Sequence, residues 1–210
     1  MTSDATPSLA RPSGMERLAR VTSNPVVGFA PWIAFWIIAS GPSTWLHGAI
    51  AALVIGLILL VPDVARRSPK ILDIGTIAFF VALVIAGIAL NARDGDWLDR
   101  YSNPISTGVL AVIALGSLAF VPFTEQYARQ DTPREVWNTP TFTKINRVLT
   151  LMWGVVFVIS AICGLIAIWA PSTDDWTQWV IPIVLLVGAI KFTGSYPDRV
   201  TANLPDRTVA

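Results

Sequence analysis

The sequence predicts an all-α, polytopic integral membrane protein whose six transmembrane helices are arranged as three antiparallel hairpins. Of its 210 residues, 53% are hydrophobic and only 14% are charged, whereas soluble domains carry roughly 25% charged residues. The apolar residues form six runs with short polar connections, so no polar faces remain to make a water-soluble exterior. We expect helices because they alone satisfy the backbone polar groups of a single segment within lipid.

The six runs have 17 to 23 residues each, within the range of about 17–25 that spans a bilayer. They form a predicted membrane domain over residues 24–192, between a flexible cytoplasmic tail at 1–23 and a second cytoplasmic tail at 193–210. The second run is expected to end before Pro62. The predicted spans are 24–40, 45–61, 71–90, 104–123, 148–170 and 176–192.

Proline marks several helix boundaries. Asn24-Pro25 and Thr139-Pro140 each combine an N-cap residue with a proline at the first helical position, where its missing N–H costs nothing. Pro104 is expected to begin the fourth helix in the same way. Pro182 lies inside the sixth run, where it predicts a kink or a local break.

The distribution of basic residues predicts the orientation. Of the 15 Lys and Arg residues, only Arg93 and Arg100 fall on one side of the predicted membrane. Because basic loops stay in the cytoplasm, both termini are expected there. An aromatic belt is expected at the opposite, outer ends of the spans, formed by Trp45, Trp97, Trp169, Trp176 and Trp179.

The longest polar passage, residues 122–147, contains the candidate functional or structural cluster. Its members are Glu125, Arg129 and Arg147, joined by Asp73 from the start of the third span. One interpretation is simple anchoring at the lipid headgroups, and the other is a functional cytoplasmic surface. We expect Asp73 to pair with Arg147, or otherwise with Arg129, because a partly hydrated carboxylate favours a bidentate partner.

Enzymatic chemistry has little support, and no cofactor or catalytic residue is predicted. The sequence has no P-loop, His-Glu-x-x-His, Gly-x-Ser-x-Gly or Cys-x-x-Cys motif. Its one His, His47, makes no metal site, and its one Cys, Cys163, forms no internal disulfide. The net charge of +1 does not indicate a nucleic-acid partner.

Two function classes therefore remain. The first is a structural or regulatory component of the cell envelope, with the lipid bilayer as its partner and with homo-oligomers or other membrane proteins left open. The alternative is a small-solute or proton-coupled transporter or channel that uses Asp73 and Glu125, two ionisable residues close to the membrane boundary, because ionisable groups in membrane segments suggest function.

The polar passage also carries a family resemblance. Pro122-Phe-Thr-x-Gln-Tyr-Ala-Arg129 with Asn146-Arg147 and Trp153-Gly154 resembles a motif of six-helix bacterial inner-membrane proteins, and Pro69–Gly75 is similar to that family's entry to its third span. The layout is distantly similar to the intracellular septation protein A group. The resemblance implies a multi-pass protein of the bacterial cytoplasmic membrane, and it carries no established reaction.

Overall fold

The computed structural model describes residues 24–39, 44–89, 92–173 and 175–202, except for the side chains of residues 92–95. All regular elements in these ranges are helices, and no strand occurs among them. The all-α prediction is therefore confirmed for the described part of the chain. The predicted tail at 1–23 and the residues after 202 lie outside it.

Eight α-helices are described, with one π-helix and two short 3₁₀ turns, at Arg134–Val136 and Pro171–Thr173. The first five α-helices are α1 (Pro25–Gly28), α2 (Ala30–Ile38), α3 (Trp45–Ala65), α4 (Ile71–Ala89) and α5 (Ala92–Ser117). The remaining elements are α6 (Phe123–Asp131), α7 (Pro140–Trp169), the π-helix (Asp175–Val180) and α8 (Ile181–Ala202).

Among the described residues, four helical segments are long and apolar enough to cross a membrane: α3, α4, α7 and the π-helix continued by α8. This supports a multi-pass membrane protein. The first predicted span does not form one long helix, because α1 and α2 are separated at Phe29 and α2 has only 9 residues. Asn24 nevertheless caps α1 as predicted, since its side chain accepts a hydrogen bond of 2.9 Å from Val26 N.

The fourth predicted span also differs from the structure. Helix α5 begins at Ala92, so Pro104 lies inside it and not at its first position. It ends at Ser117, and turns follow before Phe123. Phe123 N donates a hydrogen bond of 3.0 Å to Ser117 Oγ. The apolar run is thus helical only over 104–117, which is shorter than a bilayer-spanning segment.

Three other boundaries can be compared directly. Helix α7 begins at Pro140 with Thr139 as its N-cap, as predicted. Helix α3 continues through Pro62 to Ala65, so the proline does not end it. The last helix extends to Ala202, beyond the tail boundary predicted at 193, and the winding changes from π to α just before Pro182.

The helices pack into one bundle, in which the most extensive contact is between α5 and α7. Helix α2 is buried through Trp32 and Phe35, and Trp32 Nε1 donates to Thr76 Oγ1 at 2.8 Å. We call the end of the bundle that holds residues 63–73 and α6 the basic end. The opposite end, with residues 96–104 and 171–183, is the acidic end.

Four of the five tryptophans of the predicted aromatic belt lie at the surface of the acidic end. Trp97, Trp169, Trp176 and Trp179 are all exposed on the bundle surface. Trp45 is the exception, because it is buried in the core.

Candidate functional site

A cavity of about 770 Å³ opens at the acidic end, a volume typical of small-molecule sites. Its walls come from α2, α5, α7, the π-helix and α8. It extends along α7 from Ile168 to Val156, about 18 Å at 1.5 Å per residue. That depth is more than half of the roughly 30 Å hydrocarbon core of a bilayer.

The lining is polar at the mouth and apolar in the interior. The polar groups nearest the mouth are Asp96, Asp99, Arg100, Asn103 and Gln178. The interior is mainly apolar, with Trp36, Val156, Phe157 and Leu186, and it also includes the Ser160 hydroxyl. This division suits a molecule with one polar end and one apolar end.

Proline and small residues create the space. Pro104, Pro171 and Pro182 all line the cavity, and the π-helix at Asp175–Val180 lies directly before Pro182. π-Helical turns often occur at functional sites. Ser160 and Gly164, a small-xxx-small pair of the kind that lets helices approach closely, line the cavity on α7.

The ring of Trp36 is fixed by a hydrogen-bond chain. Its Nε1 donates to Ser106 Oγ at 2.8 Å, and the Ser106 hydroxyl donates to the carbonyl oxygen of Asn103 at 2.7 Å. The indole is therefore held against α5, and it contributes to the cavity wall.

A second polar site lies at the basic end, around a buried ion pair. Lys70 Nζ contacts Asp63 Oδ2, and the exposed fractions of the two side chains are 2% and 1%. Asp73 is close to the same ammonium, with Oδ2 3.8 Å from Lys70 Nζ. A buried pair of this kind is strongly destabilised when only one partner is removed.

Helix α6 covers this ion pair. Gln130 Nε2 donates to Asp63 Oδ1 at 3.0 Å, and Tyr127 Oη donates to Asp73 Oδ1 at 3.4 Å. The Lys70 ammonium lies 4.6 Å from the centre of the Tyr127 ring. Burial, and then the nearby Asp73 and Asp63 charges, raise the pKa of Tyr127 well above its usual value, so its hydroxyl remains a donor.

The turn after α3 sets the geometry of the ion pair. Ser68 N donates to Asp63 O at 2.9 Å and Arg67 N to Val64 O at 3.0 Å, the pattern of a Schellman motif. Arg67 has φ of 54°, in the left-handed conformation this motif requires. The reversal brings Lys70 back to Asp63, seven residues earlier.

The structure separates the four predicted cluster residues. Asp73 joins the buried site, but its basic neighbour is Lys70, so the predicted Asp73–Arg147 pair is not formed. Arg147 is exposed and donates to Leu118 O at 3.5 Å. Local chain reversal explains the difference, because Lys70 is only three residues from Asp73.

Glu125 and Arg129 form a pair of their own on α6. Arg129 Nη2 lies 2.5 Å from Glu125 Oε1, and the Arg129 guanidinium is 5.1 Å from the centre of the Trp137 ring. Glu125 itself is 5% exposed. This arrangement fastens α6 to the 3₁₀ turn that follows it.

An aromatic layer connects the two sites. Phe157 lines the cavity, and its ring centre is 5.3 Å from that of Phe29. Phe29 also contacts Trp153 and Phe123, at 4.8 and 5.9 Å between ring centres. All four rings are buried, and Phe157 is the one that also lines the cavity.

Sequence reasoning missed both the cavity and the Asp63–Lys70 pair. Asp63 and Lys70 could have been linked by their position at the two ends of a short interhelical turn. The cavity had weaker signals, namely Pro182 within an apolar run and the two small residues on α7.

No protein-family model, curated protein or solved structure matches the chain. The resemblance to six-helix inner-membrane proteins stays a prediction.

Proposed function

We propose that this multi-pass membrane protein binds a small amphipathic molecule in the cavity at its acidic end. The supporting observation is the cavity itself, about 770 Å³ in volume, with a polar mouth and an apolar interior. Small-molecule sites share this combination of size and mixed lining. Asp73 and Glu125, the residues that the transporter alternative assigns to the solute, do not line the cavity. In this proposal the cavity-wall residues contact the solute instead.

The proposal includes the six-span topology in a bacterial cytoplasmic membrane. The acidic end faces outward, and both termini are cytoplasmic, in agreement with the basic residues of the sequence. In this topology the short segment of α1 and α2 and the apolar part of α5 complete the three hairpins with α3, α4, α7 and α8. Local thinning of the bilayer accommodates such short segments at modest cost.

Cysteine labelling tests this orientation. In a Cys163→Ala background, we expect Ser172→Cys to react with an impermeant maleimide in intact cells, and Ser68→Cys to react only after permeabilisation. Both positions are exposed at opposite ends of the bundle. If Ser68→Cys reacts in intact cells and Ser172→Cys does not, the orientation is the opposite of the one proposed.

The closed basic end favours a binding protein or carrier over an open channel. Phe157 is the part of the aromatic layer that lines the cavity, whereas Phe29, Phe123, Trp153 and the Asp63–Lys70 pair do not line it. A solute that crossed the protein would have to displace them. Alternating opening of two ends around a central site is the common mechanism of carriers.

A cavity-filling substitution tests the binding function. We expect Thr107→Phe to weaken binding of the neutral probe N-phenyl-1-naphthylamine by about tenfold, equivalent to about 1.4 kcal/mol, because Thr107 lines the cavity. Binding is measured in nanodiscs by energy transfer from tryptophan to the probe, with empty nanodiscs as the blank.

Val112→Phe is the matched control. Val112 lies on the same helix and is 72% exposed outside the cavity, so this variant is expected to bind like the wild type. Equal probe binding by both variants and the wild type would contradict the cavity proposal. The structural or regulatory role predicted from the sequence would then be the better interpretation.

A further inference from the structure

We infer that the cavity selects an organic cation, an ammonium group joined to an apolar body. This inference rests on the proposed binding function and specifies the ligand class. It follows from the hydrogen-bonding state of the wall, its charge and its aromatic surface.

The hydroxyl groups of the wall already donate their protons in hydrogen bonds to backbone carbonyl oxygens. Ser160 Oγ donates to Val156 O at 2.9 Å, and Thr177 Oγ1 donates to Thr173 O at 2.9 Å. Thr107 Oγ1 lies 3.2 and 3.1 Å from the carbonyl oxygens of Asn103 and Pro104. A hydroxyl has one proton and two acceptor sites, so these three groups can offer a ligand only acceptors.

Asn103 adds an unused acceptor. Its Oδ1 is buried and has no hydrogen-bond partner among the residues that the structure describes. Buried polar atoms rarely lack a partner, and this one belongs to a residue of the cavity wall. The atom is covered in this conformation, so a ligand N–H group would satisfy it once the Asn103 side chain turns toward the cavity.

The charge at the mouth favours a cation. Among the described residues that line the cavity, the titratable groups are Asp96, Asp99 and Arg100, which sum to one negative charge. The Arg100 side chain is exposed, so its guanidinium can remain hydrated while its stem lies along the wall. Arg100 and the side-chain amides also supply donors, but the carboxylates favour a positively charged ligand group.

Aromatic rings provide a surface for the remaining part of the ligand. Trp36, Phe157 and Trp179 line the cavity. Ring faces attract cations, and tryptophan does so most strongly. The rings also pack against apolar groups, so an arylalkylammonium ion can use both parts of the cavity.

Three ligands with one apolar body test the inference. They are 4-phenylbutylamine, 4-phenylbutanol and 4-phenylbutyrate, which are positive, neutral and negative at pH 7. Binding is measured by equilibrium dialysis with the full-length protein in nanodiscs of zwitterionic lipid, and binding to empty nanodiscs is subtracted. We expect the amine to bind about tenfold more tightly than the alcohol, since hydrogen bonds that involve a charged group exceed neutral ones by about 1 kcal/mol or more.

The combined Asp96→Asn and Asp99→Asn variant is expected to lose the preference for the amine while it still binds the alcohol. The control is Asp198→Asn, which removes an exposed carboxylate outside the cavity and is expected to retain the preference. Equal binding of the three ligands, or tightest binding of the butyrate, would overturn the cation inference and leave the binding function intact. If none binds and the neutral probe also fails to bind, both proposals are wrong.

Discussion

Replacement of Lys70 with methionine is expected to reduce the free energy of unfolding by about 3–5 kcal/mol. The substitution keeps the volume of the side chain but removes its ammonium. Asp63, which is 1% exposed, would then be a buried carboxylate that keeps the hydrogen bond from Gln130 but has lost its ion-pair partner. Asp73 would lose the same neighbouring charge.

The size of this effect comes from the charge that remains, and not from the strength of the pair. Attraction between two buried ions is largely offset by the cost of removing both from water. Loss of one partner leaves that cost without the compensating attraction. We therefore expect the combined Lys70→Met and Asp63→Leu variant to be more stable than Lys70→Met alone.

Unfolding by sodium dodecyl sulfate in mixed micelles measures these differences. Lys144→Met is the matched control, because Lys144 is exposed at the basic end, and it should change stability by less than about 1 kcal/mol. Additive effects of the two substitutions in the double variant would show that Lys70 and Asp63 are not coupled.

Capping signals made the starts of α1 and α7 predictable, whereas Pro104 did not begin α5. Asn24 and Thr139 each accept a hydrogen bond from a backbone N–H near the first turn of their helix. Such local interactions depend on residues only two or three positions apart, so the sequence contains them fully. The all-α class was predictable for a similar reason, because it depends on the composition of whole segments.

Helix ends and interruptions were less predictable. Phe29 lies between two helices within an apolar run, and Ser117 ends α5 before that run is complete. At Ser117 the helix end is accompanied by a hydrogen bond from Phe123 N, six residues later, to the Ser117 hydroxyl after the chain has turned. Apolar content alone does not determine where such a turn occurs.

The partner of Asp73 shows why site geometry is hard to infer from charge. The preference of a partly hydrated carboxylate for a bidentate partner favours Arg147, but the chain reversal after α3 places Lys70 beside Asp73. The cavity presents the same difficulty on a larger scale, since its walls combine residues from five helices. The distances between these wall residues depend on how the helices pack together, and the sequence of a single helix does not determine this packing.

Trp153 should be the most important single side chain in the aromatic layer. It is fully buried, its ring centre is 4.8 Å from that of Phe29 and 5.6 Å from that of Phe157, and its Nε1 donates to Thr193 Oγ1 on α8 at 3.0 Å. We expect Trp153→Ala to lower the free energy of unfolding by about 3–5 kcal/mol, because the cavity left behind removes dispersion contacts that lipid would not replace.

A series of variants separates packing from hydrogen bonding. Trp153→Phe keeps a ring, so it should cost less than Trp153→Ala, and Thr193→Val should cost only about 1 kcal/mol because it removes one hydrogen bond. Trp97→Ala is the control, since Trp97 is 53% exposed. If Trp153→Ala costs no more than Trp97→Ala in the same detergent titration, the layer does not hold α7 against its neighbours. The proposed barrier between the cavity and the basic end would then have to depend on residues other than these rings.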